Sequence, residues 1–135
     1  MQEVSINIWA LIVAALIRIV IGALWFSPFA FLNRWLAIVG LDEQTMKAGM
    51  PRAILFDVLG SLVMAFVLVH AVVYAGAATL GQGAAVGFFN WLGFIAVVQL
   101  SETLHEHRPL RFFVINAGYN FIALILMGAL LAVWR

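Results

Sequence analysis

Six polar side chains sit inside long apolar runs of this chain: Arg18, Asp57, Gln99, Asn116, Tyr119 and Asn120. Arg18 lies within "ALIRIVIGALWFSPF" (15–29), and burying an arginine near a bilayer centre costs about 2.5–3.5 kcal/mol on insertion scales. Something must offset that cost. A guanidinium in a dry environment attracts an anion or gates a path, and Asp57 would then act as its counter-ion or proton acceptor. Asn116 and Asn120 are four apart and share a helix face, as do Asp57 and Ser61. A structural reading stands beside the functional one: Arg18 pairs with Asp57, and the amides act as glue between helices. In a third reading Arg18 faces a second subunit.

The other polar cluster is "SETLHEHRP" (101–109). On a continuous helix Glu102, His105 and Glu106 share a face at i, i+3 and i+4, a spacing that offers a weak metal or proton site. One Glu-x-x-His copy supplies too few ligands for a di-metal centre, so the expectation is a solvated helix end without a tightly bound metal. His70 stands alone in its helix, which reads as an interfacial histidine rather than a haem ligand. Gly83 and Gly87 have the spacing that lets two helices approach closely, within one chain or between subunits. With no cysteine, disulfides, thiolate metal sites and a cysteine nucleophile are excluded. No phosphate-binding glycine loop, Ser/His/Asp arrangement or zinc motif is present, so no catalytic residue and no cofactor are assigned.

These side chains need elements to hold them. Hydrophobic residues make up 66% of the 135 and charged residues only 10%. Covering a soluble domain takes about 25% charged residues, so the lipid bilayer is the expected solvent. A net charge of +1 gives no basic field for nucleic acid. Four apolar segments, 6–26, 53–75, 84–104 and 110–134, are each long enough for the roughly 20 helical residues a bilayer requires. The first is longer than a signal-peptide core and lacks a preceding Lys or Arg, so it reads as a retained transmembrane helix. "GAATLGQG" (76–83) and "HEHRP" (105–109) read as turns, and short turns make neighbouring helices antiparallel.

The first connection has structure of its own. Ser27 and Pro28 read as the cap and first residue of an amphipathic helix over 29–39, with Asn33 and Arg34 on its polar side and Gly40 as its stop. Such a segment lies in the membrane interface. A short helix over 43–48, capped by Asp42, should follow, and Gly49 and Pro51 should reset the chain before the second span. Trp9, Trp25, Trp35 and Trp134 fall near the boundaries, where indoles anchor. Arg34, Lys47, Arg52, Arg108 and Arg111 lie in the first and third loops and only Arg135 on the other side, which puts both termini outside the cytoplasm.

On this threading Arg18 lies roughly 13 Å before Ser27, Asp57 roughly 6 Å into the second helix and Gln99 roughly 7 Å into the third. Asn116 and Asn120 lie roughly 9 and 15 Å into the fourth, with Tyr119 between them. The six polar groups therefore form one layer in the cytoplasmic half of the bundle, with Asp57 as the first choice of partner for Arg18. The halves share no motif, so an inverted-repeat transporter is not supported.

"GALWFSPFAFLNRWLAIVGL" (22–41), "WLGF" (91–94) and "EHRPLRFFVINAGYNFIALILMGALLAVW" (106–134) resemble the family catalogued as domain of unknown function 1761, small bacterial membrane proteins. The first block is the most specific, and Phe26 replaces the family's usual tyrosine. The resemblance implies a four-helix membrane protein of a bacterial inner membrane and transfers no activity. The reading of the whole is an all-α, antiparallel bundle of four transmembrane helices forming a single domain, 1–135, with an interfacial helix. Its expected role is a homo-oligomeric (dimeric) small channel or transporter for a small ion or solute. The alternative is a non-catalytic scaffold in which the polar layer is structural.

Overall fold

The computed structural model describes residues 3–135; the first two residues of the expected domain lie outside it. The described residues form helices and turns only, in the order α1 (Ile8–Trp25), α2 (Leu32–Val39), α3 (Glu43–Tyr74), α4 (Leu80–Trp91), a π-helical turn (Leu92–Ala96), α5 (Val97–His105) and α6 (Leu110–Val133). Three starts are fixed by side-chain caps. Asn7 Oδ1 accepts from the amides of Trp9 and Ala10, Asp42 Oδ1 from Thr45, and Thr79 Oγ1 from Gln82. Four helical stretches are long and apolar enough to cross a membrane: Ile8–Trp25, Glu43–Tyr74, Leu80–His105 and Leu110–Val133.

Helix α6 is central and touches α1, α3, α4 and α5. The core around it is built of small residues, Ala10, Ala14, Ala65 and Ala123, interleaved with Leu68, Val72, Met127 and Leu131. Small side chains bring backbones together, which is how helices gain dispersion energy when the surrounding solvent is itself apolar. The closest approach joins α4 to α6. A Cβ added at Gly83 would collide with the Gly128 carbonyl, and one at Gly87 with the Leu124 carbonyl. The two glycines are thus consumed by a seam within the chain.

The exterior is apolar. Trp9 is 71% exposed and Phe94 76%, and large exposed side chains such as Leu24, Leu55, Phe66 and Phe89 continue the pattern. Contiguous apolar surface on this scale is foreign to a protein in water and supports a multi-pass membrane protein.

Several boundaries differ from the sequence-based expectation. Ser27 does not start the second helix: its hydroxyl donates to the Leu24 carbonyl and closes α1 instead. Residues 26–31 are turns, and α2 covers Leu32–Val39 rather than 29–39, ending at Gly40 with φ 72°. Gly49 and Pro51 do not reset the chain, because α3 runs unbroken through Pro51. Proline removes one hydrogen bond, to the Lys47 carbonyl, and the exposure of Lys47 keeps that loss small. The glycine-rich turn is shorter than 76–83, since Thr79 caps α4 and Gly81 and Gly83 are already helical. Trp25, at the end of α1, packs inward: its Nε1 donates to the Ile115 carbonyl, and its ring lies against Gly118 of α6.

The third span is not a regular helix. Gly83, Gly87, Trp91, Gln99 and Thr103 all turn toward α6 or the space beside it. In a regular helix each step of four advances about 40°, so 83 and 103 would differ by about 200°. The wider turn at Leu92–Ala96 takes up an extra residue, equivalent to about 100°, and brings α5 back toward the face that α4 began.

Candidate functional site

Arg18 reaches from the middle of α1 to two other helices. Its Nε donates to Asn120 Oδ1 at 3.3 Å, one terminal nitrogen to Ser61 Oγ at 2.9 Å, and the other to the Tyr119 hydroxyl. The guanidinium carbon also lies 5.2 Å from the centre of the Tyr119 ring, within cation–π range. Asn120 is 6% exposed and Ser61 is fully buried. Asn120 Nδ2 in turn donates to the Asn116 carbonyl at 3.4 Å, which orients the amide so that its oxygen faces the arginine.

Asp57 is not the partner of Arg18. Among the described residues the ion pairs are Lys47–Glu43 and Arg108–Glu106. Asp57 is exposed, one turn before Ser61 on α3, and Ser61 takes the place expected for the carboxylate. The reason is depth. Arg18 sits deeper than Asp57, and side chains of α1 lean toward its N-terminus, away from Asp57. The hydroxyl one turn further along α3 is the group within reach.

Beside this cluster lies a cavity of about 340 Å³, lined by Arg18 and Asn120, by Gln99 and Thr103 of α5, and by Asn116, Tyr119 and Phe112 of α6. Its remaining lining comes from Glu102 and Glu106, which are exposed and form its rim. The structure therefore brings Arg18, Gln99, Asn116, Tyr119 and Asn120 around one space and leaves Asp57 off its wall. It joins to them two residues expected in a separate cluster, Glu102 and Glu106. The acid–histidine triplet is divided. Helix α5 ends at His105, whose Nδ1 lies 2.8 Å from the Ser101 carbonyl, away from the two glutamates. No cluster of three metal-ligating side chains occurs among the described residues.

Thr103 donates to the Gln99 carbonyl at 2.7 Å, so its polar atom is spent within α5. Gln99 Oε1 is buried without a hydrogen-bond partner. Buried acceptors without a donor are uncommon and cost about 1–3 kcal/mol each, so one that borders a polar cavity marks a place for a donor. Two tryptophans brace the wall: Trp25 Nε1 on the Ile115 carbonyl and Trp91 Nε1 on the Ala117 carbonyl, both 2.9 Å. His70 stands apart, with Nδ1 against the Phe66 carbonyl at 2.7 Å and its ring between Phe66 and Tyr74.

Ser61 and Thr103 carry little signal in the sequence, because hydroxyls are ordinary in apolar helices. Ser61 has one trace, its spacing of four from Asp57. The π-helical turn has none in the residue types of "LGFIA".

No curated protein and no solved structure matches the chain significantly. A family model described as "Protein of unknown function (DUF1761)" matches residues 9–132, a range that takes in all six helices but for the first residue of α1 and the last of α6, and every residue of the cavity, and the chain belongs to this family.

Proposed function

We propose that this protein is a small membrane carrier that binds a polar or anionic solute in the Arg18 cavity. One observation carries the reading: the guanidinium borders the cavity, is held by neutral acceptors, and among the described residues has no carboxylate within ion-pair distance. A half-buried cation that forms no ion pair among the described residues is a receptor for negative charge. The exposed Glu102 and Glu106 border the cavity, while the α4–α6 seam further along α6 is packed backbone against backbone. A cavity beside a packed seam suits a carrier that rearranges better than an open channel.

The opposed register of the seam, with Gly83 on Gly128 and Gly87 on Leu124, supports antiparallel α4 and α6. The polar face of α2, Asn33 and Arg34, is exposed while Leu32, Trp35 and Leu36 are half-buried, in keeping with an interfacial helix. The basic bias of the loops supports a bacterial inner membrane orientation with both termini outside the cytoplasm. A homo-oligomer, a dimer in the simplest case, belongs to the same reading, because residues 53–59 of α3 are exposed on every side. Single cysteines at Ser5 and Lys47, labelled with an impermeant reagent in intact cells, test the orientation. Labelling at Lys47 and not at Ser5 reverses it.

A structural reading rests on the same contacts, since Arg18 ties α1 to α3 and α6 and can serve as a clamp alone. The two readings part on ligand response. Thermal unfolding of the purified chain is followed with chloride, acetate, inorganic phosphate and glycine, in the wild type and in Arg18→Met. Stabilisation by any of them that vanishes in Arg18→Met supports the carrier. Flat curves across the panel, with no lipid headgroup retained through Arg18, return the clamp.

A further inference from the structure

The cavity's unsatisfied groups are of two opposite kinds. Arg18 donates once from Nε and once from each terminal nitrogen. A guanidinium carries five N–H groups, so one on each terminal nitrogen keeps no protein acceptor. A planar donor of this kind matches a carboxylate or a phosphate. On α5 the need is reversed. Gln99 Oε1 is buried with no donor, and the Glu102 carboxylate lines the same cavity with no ion pair among the described residues. Glu106, by contrast, is held by Arg108.

A simple anion would satisfy Arg18, leave Gln99 orphaned and bring a second negative charge toward Glu102. A simple cation would do the reverse. We infer that the cavity takes a zwitterion, with a carboxylate or phosphate on Arg18 and a primary ammonium donating to Gln99 Oε1 and Glu102. This rests on the carrier reading for the seat of the negative group. The volume agrees with a small ligand: about 340 Å³ is at the low end for ligand cavities and holds roughly eleven waters at about 30 Å³ each. The ammonium must carry N–H groups, because an orphaned amide oxygen gains nothing from a trimethylated nitrogen. Two sources share this chemistry, a free amino-acid-like solute and the ethanolamine phosphate headgroup of a lipid.

Methylation of the amine is the test. The full chain is placed in phosphatidylcholine nanodiscs, and binding is measured for glycine against trimethylglycine, and for phosphoethanolamine against phosphocholine and inorganic phosphate. The primary amine should bind about 10- to 100-fold more tightly than its trimethylated counterpart, the worth of a charge-assisted hydrogen bond. Glu102→Gln, a change at an exposed rim position, should narrow that preference, and Arg18→Met should abolish binding of every probe. In a second arm, native mass spectrometry follows lipid retained from mixed phosphatidylethanolamine and phosphatidylcholine. Preferential retention of the ethanolamine lipid, lost in Glu102→Gln, with no binding of soluble probes, supports the inference and assigns the lipid as source. Equal binding of methylated and unmethylated probes that still requires Arg18 overturns the zwitterion and leaves the carrier standing. Failure of every soluble and lipid probe overturns both.

Discussion

Two stretches of α6 meet different partners along a winding row, Asn116, Asn120, Leu124, Gly128 and Ala132, spaced by four and turning about 40° at each step. At the Gly128 end the row meets Gly83 and Gly87, and the absence of side chains lets carbonyls and Cα atoms touch. At the Asn120 end it meets Arg18 and borders the cavity that α5 lines beyond the π-helical turn. One end spends its contacts on dispersion and leaves no room for a ligand. The other holds a charge by hydrogen bonds and keeps space beside it. A helix can thus be scaffold and binding wall at once, with the division made by which residue stands every fourth position and by how its partner helix winds.

The largest expected effect is at the seam. Gly87→Val should cost about 3 kcal/mol or more, because the atom it would displace is backbone rather than a movable side chain. Gly93→Val, on the same span with nothing within 4 Å of its added Cβ, should stay within about 0.5 kcal/mol. Unfolding of both variants in detergent decides it, and equal losses would remove the tight backbone contact from the seam.

Next comes the cavity floor. Asn120→Leu strands Arg18 Nε and should cost about 1.5–3 kcal/mol, as for hydrogen bonds to charged groups. Adding Arg18→Met to that variant should recover much of the loss, since removing a buried charge with its partner is often neutral. Arg18→Met combined with Asp57→Asn should instead be additive within about 0.5 kcal/mol. Strong coupling between Arg18 and Asp57 would restore the ion pair that the geometry denies.

A smaller effect belongs to the brace. Trp25→Phe keeps an aromatic ring against Gly118 but removes the bond to the Ile115 carbonyl, a loss of about 0.5–1.5 kcal/mol. The same substitution should loosen ligand binding more than Trp9→Phe, because Trp9 is exposed and far along α1. A binding assay on the two variants with equal losses would detach the brace from the cavity.

The smallest effect lies outside both regions, at the start of α3. The Thr45 hydroxyl and amide hold the Asp42 carboxyl below its ordinary value of 3.8. A depressed carboxyl contributes its cap above that ordinary value and loses it as pH falls through the lower folded value. Asp42→Asn should therefore differ from the wild type in amide exchange at Thr45 near neutral pH, and the difference should close below about pH 3.8. A difference that persists into stronger acid would remove the carboxylate from the cap.

The sequence by itself determined that four helical stretches are long and apolar enough to cross a membrane, because composition and run length are local properties of the chain. It also set Arg18, Gln99, Asn116, Tyr119 and Asn120 at similar heights along their helices, since helical rise converts position into ångströms. Asp42, Gly40 and the polar face of α2 were legible for the same local reason: caps and amphipathic faces depend on residues within a few positions. Tertiary structure decided the rest. Whether Arg18 meets Asp57 or Ser61 turns on the height at which α1 and α3 pack against each other, which no spacing within α1 encodes. Whether Gly83 and Gly87 face their own chain turns on α6 offering Gly128 and Leu124 at the matching height. The union of Glu102 and Glu106 with Gln99, and the separation of His105 from them, follow from where α5 ends and how the π-helical turn sets its phase. That phase is a packing outcome between α5 and α6, so it exists only once both helices are in place.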